Sequence, residues 1–295
     1  MPQESRHGEE KSLNLDQWAS WLLYERFRGC SPEERQRATA LLEGFRDRVV
    51  EMAQLRRGDL VLDLGAGTGL LASKAVGEVG QEGLVLAADL SIDALEQIPP
   101  PARQGGPGPV LPVGCDGKDI PLRSQSVDAL LIRSVLIYVP DKARVLSESF
   151  RVLRVGGRLS LFEPINRDRV HNVDLSRLPT QIQAKLAEME DLQRDPHDPM
   201  LNFGAEDLLR MVHAAGFSDV HIETQEVVEE YSDREAIHGF FNRVTAPGEP
   251  TMAEVLTRQL GADGMTQVLE AWIERLENRP VRFTTPAVYI AAIKA

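Results

Sequence analysis

Residues 61–72, VLDLGAGTGLLA, constrain this chain more than any other stretch. Val61, Leu62 and Leu64 make a short apolar run of the kind buried in a parallel sheet, and glycines at 65, 67 and 69 follow before a small, apolar helical pattern begins. Alternating glycines let the backbone turn sharply and approach a ligand that a β-carbon would keep away. The spacing therefore predicts a strand, a tight turn and a helix, with a nucleoside-bearing ligand over the turn. Glycine spacing alone also occurs in ordinary strand-to-helix turns, so the neighbours decide the ligand. A dinucleotide fingerprint needs G-x-G-x-x-G with the pyrophosphate on the helix N-terminus. Here the third glycine comes one residue early, and Asp63 within the turn repels phosphate and favours a cationic ligand. The P-loop pattern G-x-x-x-x-G-K-[ST] occurs nowhere. A second apolar run, residues 84–88, ends in Asp89, at the offset where nucleotide-binding α/β folds put a carboxylate on ribose hydroxyls.

Four blocks then carry a family resemblance: VLDLGAGTG (61–69), VLAADLS (85–91), VGCDGKDIPLRSQSVDALLIRSVLIYVPD (113–141) and RVLRVGGRLSLFEP (151–164). AAGFSDV (214–220) adds a fifth. In this order and spacing the chain resembles the class I S-adenosylmethionine-dependent methyltransferases, in particular the small-molecule branch that includes the ubiquinone and menaquinone C-methyltransferases. The resemblance covers residues 58–220 and leaves both ends outside it. It implies an α/β fold, a doubly wound, mostly parallel seven-stranded sheet of Rossmann-like type, here with helical lid insertions. The implied cofactor is S-adenosyl-L-methionine. Gly65, Ala66, Gly67 and Gly69 would cradle it, and Asp63, at the end of its strand, would face the ammonium and sulfonium side. Asp63 also fits a helix-initiating turn acid. Asp89 would accept both ribose hydroxyls in charge-assisted hydrogen bonds, though it also fits an N-cap. Asp116 with Gly117 would meet the adenine edge and Leu90 one face of the ring, while Cys-Asp-Gly-Lys also reads as a plain turn. Arg133 and Ser134, after an apolar strand at 129–132, would line the methionine tail through backbone groups.

Composition agrees with a small-molecule enzyme. In 295 residues, 42% apolar content suffices for a sizeable core. A formal net charge of −12 disfavours nonspecific attraction to nucleic acid or an anionic membrane. Cys30 and Cys115 lack metal-ligand spacing, so neither a metal site nor a disulfide framework is expected. The polar, acidic start at residues 1–13 is unlike a secretory signal and no long apolar run occurs, which gives the expectation of a soluble, cytoplasmic chain. Residues 99–109, rich in Pro and Gly, read as a surface loop.

The organisation expected is an N-terminal helical lid at 1–54, a cofactor-binding core at 55–231 with a substrate loop at 166–203, a helical insertion at 232–280, and the last strand of the core at 281–295. In the lid, Trp18, Leu22 and Leu23 fall at helical spacing, and Ser31-Pro-Glu-Glu opens a second helix. Trp18, Trp21 and Tyr24 offer aromatic surface for covering the cofactor, or for core packing. The loop at 166–203 is long for a strand-to-helix connection, which nominates Glu163, Asn166, Arg167 and His171 for substrate contact. The insertion, with apolar residues three and four apart, reads as two or three helices forming a lid or a homodimer surface.

Transfer from a sulfonium needs positioning and desolvation more than acid–base chemistry. For a hydroxyl acceptor, Glu163 or His171 could take the proton and Tyr138 could orient the acceptor, although His171 also fits a solvated loop histidine. The loop SVLIYVPD and the 232–280 insertion depart from the quinone enzymes, so their substrate does not carry over. Arsenite methylation is set aside, because two distant cysteines cannot supply a metalloid site. The reading is methyl transfer to an oxygen, nitrogen or carbon of a small, specialised metabolite. The alternatives are a peptide or protein side chain as acceptor, or cofactor binding without methyl transfer.

Overall fold

The structure, a computed structural model, describes residues 15–99, 108–192, 197–276 and 279–295. The acidic start at 1–13 and most of the Pro/Gly loop at 99–109 lie outside these residues. Two N-terminal elements come first: α1 (Gln17–Ser20), which runs into a π-helical turn (Trp21–Glu25), and α2 (Pro32–Met52). The core follows as β1 (Leu60–Leu64), α3 (Leu70–Val79), β2 (Leu84–Asp89), α4 (Ile92–Leu95), β3 (Val110–Gly114), β4 (Val127–Arg133), α5 (Lys142–Val152) and β5 (Leu153–Pro164). Then come β6 (Val170–His171), α6 (Thr180–Leu192), α7 (Ala205–Ala214), β7 (Phe217–Tyr231), α8 (Arg234–Phe241), α9 (Met252–Arg275) and β8 (Val281–Lys294).

The sheet runs β3-β2-β1-β4-β5-β8, with β7 along the far edge of β8. The first five strands are parallel and β8 is antiparallel to both its neighbours. The expected seven strands are present, and the two-residue β6 adds an eighth by pairing with Thr284 and Phe283 beyond the end of β5. Alternation along each strand divides the core between two faces. Leu62, Leu64 and Ile132 pack with Leu146 and Val152 of α5 and Leu208 of α7. Val61 and Leu131 pack instead with Phe45 and Val49 of α2 and Leu71 and Val76 of α3. Helices on both faces are what a parallel sheet requires, since each crossover must cover one side.

Local chemistry sets the element ends. Ser31 and Glu34 form a reciprocal capping box on α2, with Pro32 at its first position. At the other end of the chain the Lys294 ammonium donates to the carbonyls of Phe150 (2.6 Å) and Leu153 (2.8 Å), a cation at the C-terminus of α5. Pro112 sits in β3, which is an edge strand and loses little for a missing donor.

Residues 232–280 connect β7 to β8 where Tyr231 pairs with Val281, so the insertion grows from the tip of a long hairpin without disturbing its register. It holds α8 and α9, and α9 is bent at Gly261, whose φ of 76° interrupts the helix. Phe240, Phe241, Trp272 and Phe283 pack there with Val173 and Leu178, so the insertion and the 166–203 segment share one apolar cluster. On the α2 face, Phe162 is 2% exposed and stacks on Phe45 at 4.3 Å while leaning on Tyr289 at 4.9 Å. Phe162→Ala empties this junction and should destabilise the fold by about 3–5 kcal/mol in urea denaturation; a loss below about 1 kcal/mol would mean that α2 is not held through Phe162.

Candidate cofactor and acceptor site

Parallel register brings Leu64, Asp89, Gly114 and Arg133 to one edge of the sheet, and the loops that leave these positions converge. The turn after β1 is fixed by backbone bonds: the N–H groups of Gly65 and Ala66 both donate to the Ala88 carbonyl, at 2.7 and 3.0 Å. Gly65, Gly67 and Gly69 all take positive φ (75°, 53° and 87°), where a β-carbon is strained. Crowding adds to this at Gly65, where a β-carbon would overlap the Val135 side chain. Asp89 ties this turn to the one after β2. One of its carboxylate oxygens accepts from the Gly67 N–H (2.7 Å) and the other from the Ser91 N–H (2.9 Å).

A cavity of about 380 Å³ opens above these turns. Of the residues singled out from sequence, Gly65, Ala66, Gly67, Asp89, Leu90, Asp116, Gly117, Arg133, Ser134 and Tyr138 line it. Leu90 is 65% exposed, an apolar surface without a protein partner of matching size. Ser134 leaves β4 with φ at 51°, a left-handed conformation held by its N–H bond to the Phe162 carbonyl (2.9 Å). A second hollow, about 430 Å³ between α2 and β7, contains none of the predicted residues, and its Arg48 and Glu223 pair with each other.

Gly69 lies just outside the cavity wall, and Asp63 lies beneath it. Asp63 is 1% exposed; one carboxylate oxygen accepts from the Ala72 N–H (2.9 Å) and holds the first turn of α3, while the other is buried without a hydrogen-bond partner. Burial pushes its carboxyl up to about 7, against the pull of the Ala72 N–H and the Arg133 charge.

Glu163 does not reach the cavity, which corrects its nomination as a base. Its carboxylate is fully buried and accepts three backbone N–H groups, from Val135 (2.9 Å), Leu136 (2.8 Å) and Ile137 (3.2 Å). It therefore shapes the 3₁₀ turn Leu136–Tyr138 that presents Tyr138. His171 is also misplaced for proton transfer. It sits in β6, its Nδ1 accepts from the Val173 N–H (3.2 Å), and its ring lies against Trp272 of the insertion (5.4 Å) and Phe283 of β8 (5.8 Å). Arg167 pairs with Asp207 (3.0 Å). Among the described residues, none of the 166–203 segment or of the insertion lines the cavity.

The cover comes from the N-terminus. Trp18, Trp21 and Leu22 line the cavity, and Trp18 and Trp21 meet the Tyr138 ring edge-on at 5.1 and 6.4 Å. The Asp16 carboxylate caps α1 and accepts from the Ser91 hydroxyl (2.7 Å), two residues from Asp89. The insertion holds the cover from behind, since Trp21 Nε1 donates to the Val244 carbonyl (2.9 Å). Tyr24 is 48% exposed and takes no part. Sequence reasoning missed Arg26, Phe27, Leu42 and Cys115, which also line the cavity. Arg26 follows the π-helical turn, and nothing in LDQWASWLLYERF signals that irregularity.

Among the described residues no cluster of His, Cys, Asp or Glu is arranged to hold a metal ion, and no helix is long and apolar enough to cross a membrane.

Burial lifts Glu163 from 4.5 to about 7, with the three N–H donors opposing it. The native state then holds the proton more tightly than the unfolded chain, so this group's contribution to stability falls as pH rises through that window. The Tm difference between the wild type and Glu163→Gln should shift in favour of the wild type as pH drops from about 7 towards 4.5. A difference independent of pH in thermal melts would show that folding leaves the proton affinity of this carboxyl unchanged.

A family model described as a methyltransferase domain matches residues 62–161. The ubiquinone/menaquinone biosynthesis C-methyltransferase UbiE of Cronobacter sakazakii is 35% identical over 126 residues, 40% of this chain and 50% of that protein. The same enzyme of Proteus mirabilis is 36% identical over 115 residues, 39% of this chain and 46% of that protein. The chain thus spans about half the length of the curated relatives it matches. Among solved structures, the YcgJ protein of Bacillus subtilis aligns with a TM-score of 0.56 at 18% identity, covering 85% of this chain and 98% of that one. The [4+2]-cyclase SpnF aligns with a TM-score of 0.50 at 19% identity, over 100% of this chain and 97% of that one. Residues 62–161 thus match a methyltransferase domain, and the core they belong to has the Rossmann-like fold of the S-adenosylmethionine-dependent methyltransferases.

Proposed function

We propose that this chain transfers a methyl group from S-adenosylmethionine to a small molecule held beneath the N-terminal cover. One observation carries the reading: the glycine turn, Asp89, Leu90 and Asp116 line the same cavity as Trp18, Trp21 and Tyr138, so a nucleoside end and an acceptor end share one enclosed space. The residues suit the cofactor. Asp89 keeps free lone pairs on both oxygens for ribose hydroxyls, Leu90 offers a flat apolar surface for adenine, and Asp116 can accept its exocyclic amine. Gly67 and Gly65 admit the ligand close to backbone, Arg133 and Ser134 stand where the amino-acid tail would lie, and Asp63 adds negative charge from below the turn.

When bound, S-adenosylmethionine would supply an activated methyl group to a nucleophilic oxygen, nitrogen or carbon of the acceptor, whose proton would pass to water, leaving S-adenosylhomocysteine. The chain's contribution is to aim and to dry the site. Trp18, Trp21 and Leu22 exclude water, and Tyr138, held by the turn that Glu163 organises, orients the acceptor with its hydroxyl. With Glu163 and His171 engaged elsewhere, the mechanism relies on proximity, not on a side-chain base. The cover favours a small metabolite over a peptide side chain, which would need an open groove. Because a cyclase shares this fold, fold alone does not fix the chemistry.

Asp89→Ala should weaken S-adenosylhomocysteine binding by about 1.5–3 kcal/mol in calorimetry, and unchanged affinity would remove Asp89 from the ribose site. Incubation with methyl-labelled S-adenosylmethionine and a cell extract should put label into the small-molecule fraction. Label in protein alone would favour the peptide reading, and cofactor binding with no labelled product would favour a non-methylating role.

A further inference from the structure

Two guanidinium groups stand at the acceptor end of the cavity without an anion to answer them. Arg26 leaves the π-helical turn of the cover, and Arg133 leaves the end of β4; both line the cavity. Among the described residues neither has a carboxylate at ion-pair distance. Arg26 instead lies over the rings of Trp21 (5.6 Å) and Phe27 (5.5 Å). Burial comes first and the Arg133 charge second in lowering Arg26 to about 10, so the two cations oppose each other across a largely dry space. Arg133 is likewise lowered by burial, with the fields of Tyr138, Asp63 and Glu163 opposing.

None of the carboxylates that line the cavity pairs with either arginine. Asp89 holds the Gly67 and Ser91 N–H groups, Asp116 pairs with Lys118 at 3.4 Å, and Glu43 lies 3.6 Å from Arg46. Asp63 and Glu163 lie outside the wall, each lifted by burial to about 7, and so offset the two arginines only in part near neutral pH. The cofactor does not close the balance. It brings one carboxylate, one ammonium and one sulfonium, so it can answer a single guanidinium while adding net positive charge. Arg133, on the strand-end loop, is placed for the cofactor's carboxylate. Arg26, on the cover between Trp21 and Phe27, is left for something else. In a chain of net charge −12, two partly buried cations without a carboxylate at ion-pair distance are a local feature with a specific use.

We propose that the acceptor is an anion, carrying a carboxylate or phosphate that Arg26 binds, joined to an apolar body that packs against Trp18, Trp21 and Tyr138. This rests on the methyltransferase reading, and a planar guanidinium is suited to bidentate binding of either anion. The charged group anchors the acceptor against the cover, and its neutral end carries the atom to be methylated. Specificity then comes from charge neutralisation that a neutral analogue cannot supply.

The test uses the full chain saturated with S-adenosylhomocysteine and follows tryptophan fluorescence, since Trp21 lies against Arg26 and Trp18 lines the same cavity while Trp272 lies in the insertion's apolar cluster. Benzoate and phenyl phosphate are titrated beside the neutral benzamide. At least one anion should bind about tenfold or more tightly than benzamide, and the tighter of the two identifies the acceptor's charged group. Arg26→Gln should abolish that preference, with S-adenosylhomocysteine affinity kept within about twofold, and Arg26→Lys should restore part of it. Equal binding of benzamide and both anions, or an anion preference that survives Arg26→Gln, would overturn the proposal. So would a loss of S-adenosylhomocysteine affinity in Arg26→Gln as large as the loss of anion binding, which would assign Arg26 to the cofactor. Failure of the wild type to bind S-adenosylhomocysteine would instead overturn the underlying cofactor reading.

Discussion

The Asp89 carboxylate is the joint on which the site depends. Parallel pairing sets Leu64 beside Ala88, which puts the glycine turn within reach of the strand next to it. Asp89 then spends one hydrogen bond on Gly67 and one on Ser91, and the Ser91 hydroxyl reaches Asp16 of the cover. A single acid therefore links the turn after β1, the turn after β2 and the N-terminal lid. Each bond is charge-assisted and partly buried, which makes the set worth more than exposed pairs of similar geometry.

Two other acids act by being buried. Asp63 and Glu163 lie on strands that end under the cavity, and each uses backbone N–H groups to fix a turn: the start of α3 in one case and the turn bearing Tyr138 in the other. Both pay desolvation, as their raised proton affinities record. The insertion works at greater distance. It buries its own aromatic cluster with the 166–203 segment and offers the Val244 carbonyl to Trp21, so it steadies the cover without touching the cavity.

Sequence was most informative where backbone geometry leaves few choices. The glycine turn, the apolar runs of β1, β2 and β4, the helix start at Ser31 and Asp89 all follow from local rules, and the structure has each in the expected element. It was least informative where tertiary contacts decide. Glu163 ends a strand at the ligand-facing edge, as a base would, but register turns its carboxylate towards three N–H groups. His171 falls in a long loop that β8 recruits as a strand, away from the cavity. Arg26 was invisible because one π-turn, with no compositional mark, sets its direction.

The cavity at the ends of β1, β2 and β4 is the proposed seat of the adenosyl cofactor. Thermal denaturation with S-adenosylmethionine, S-adenosylhomocysteine, NAD and ATP tests it directly, because a ligand that binds only the native state raises Tm with concentration. The first two should raise Tm in a saturable way and the last two should not. Equal stabilisation by NAD or ATP, or none by any of the four, would contradict it.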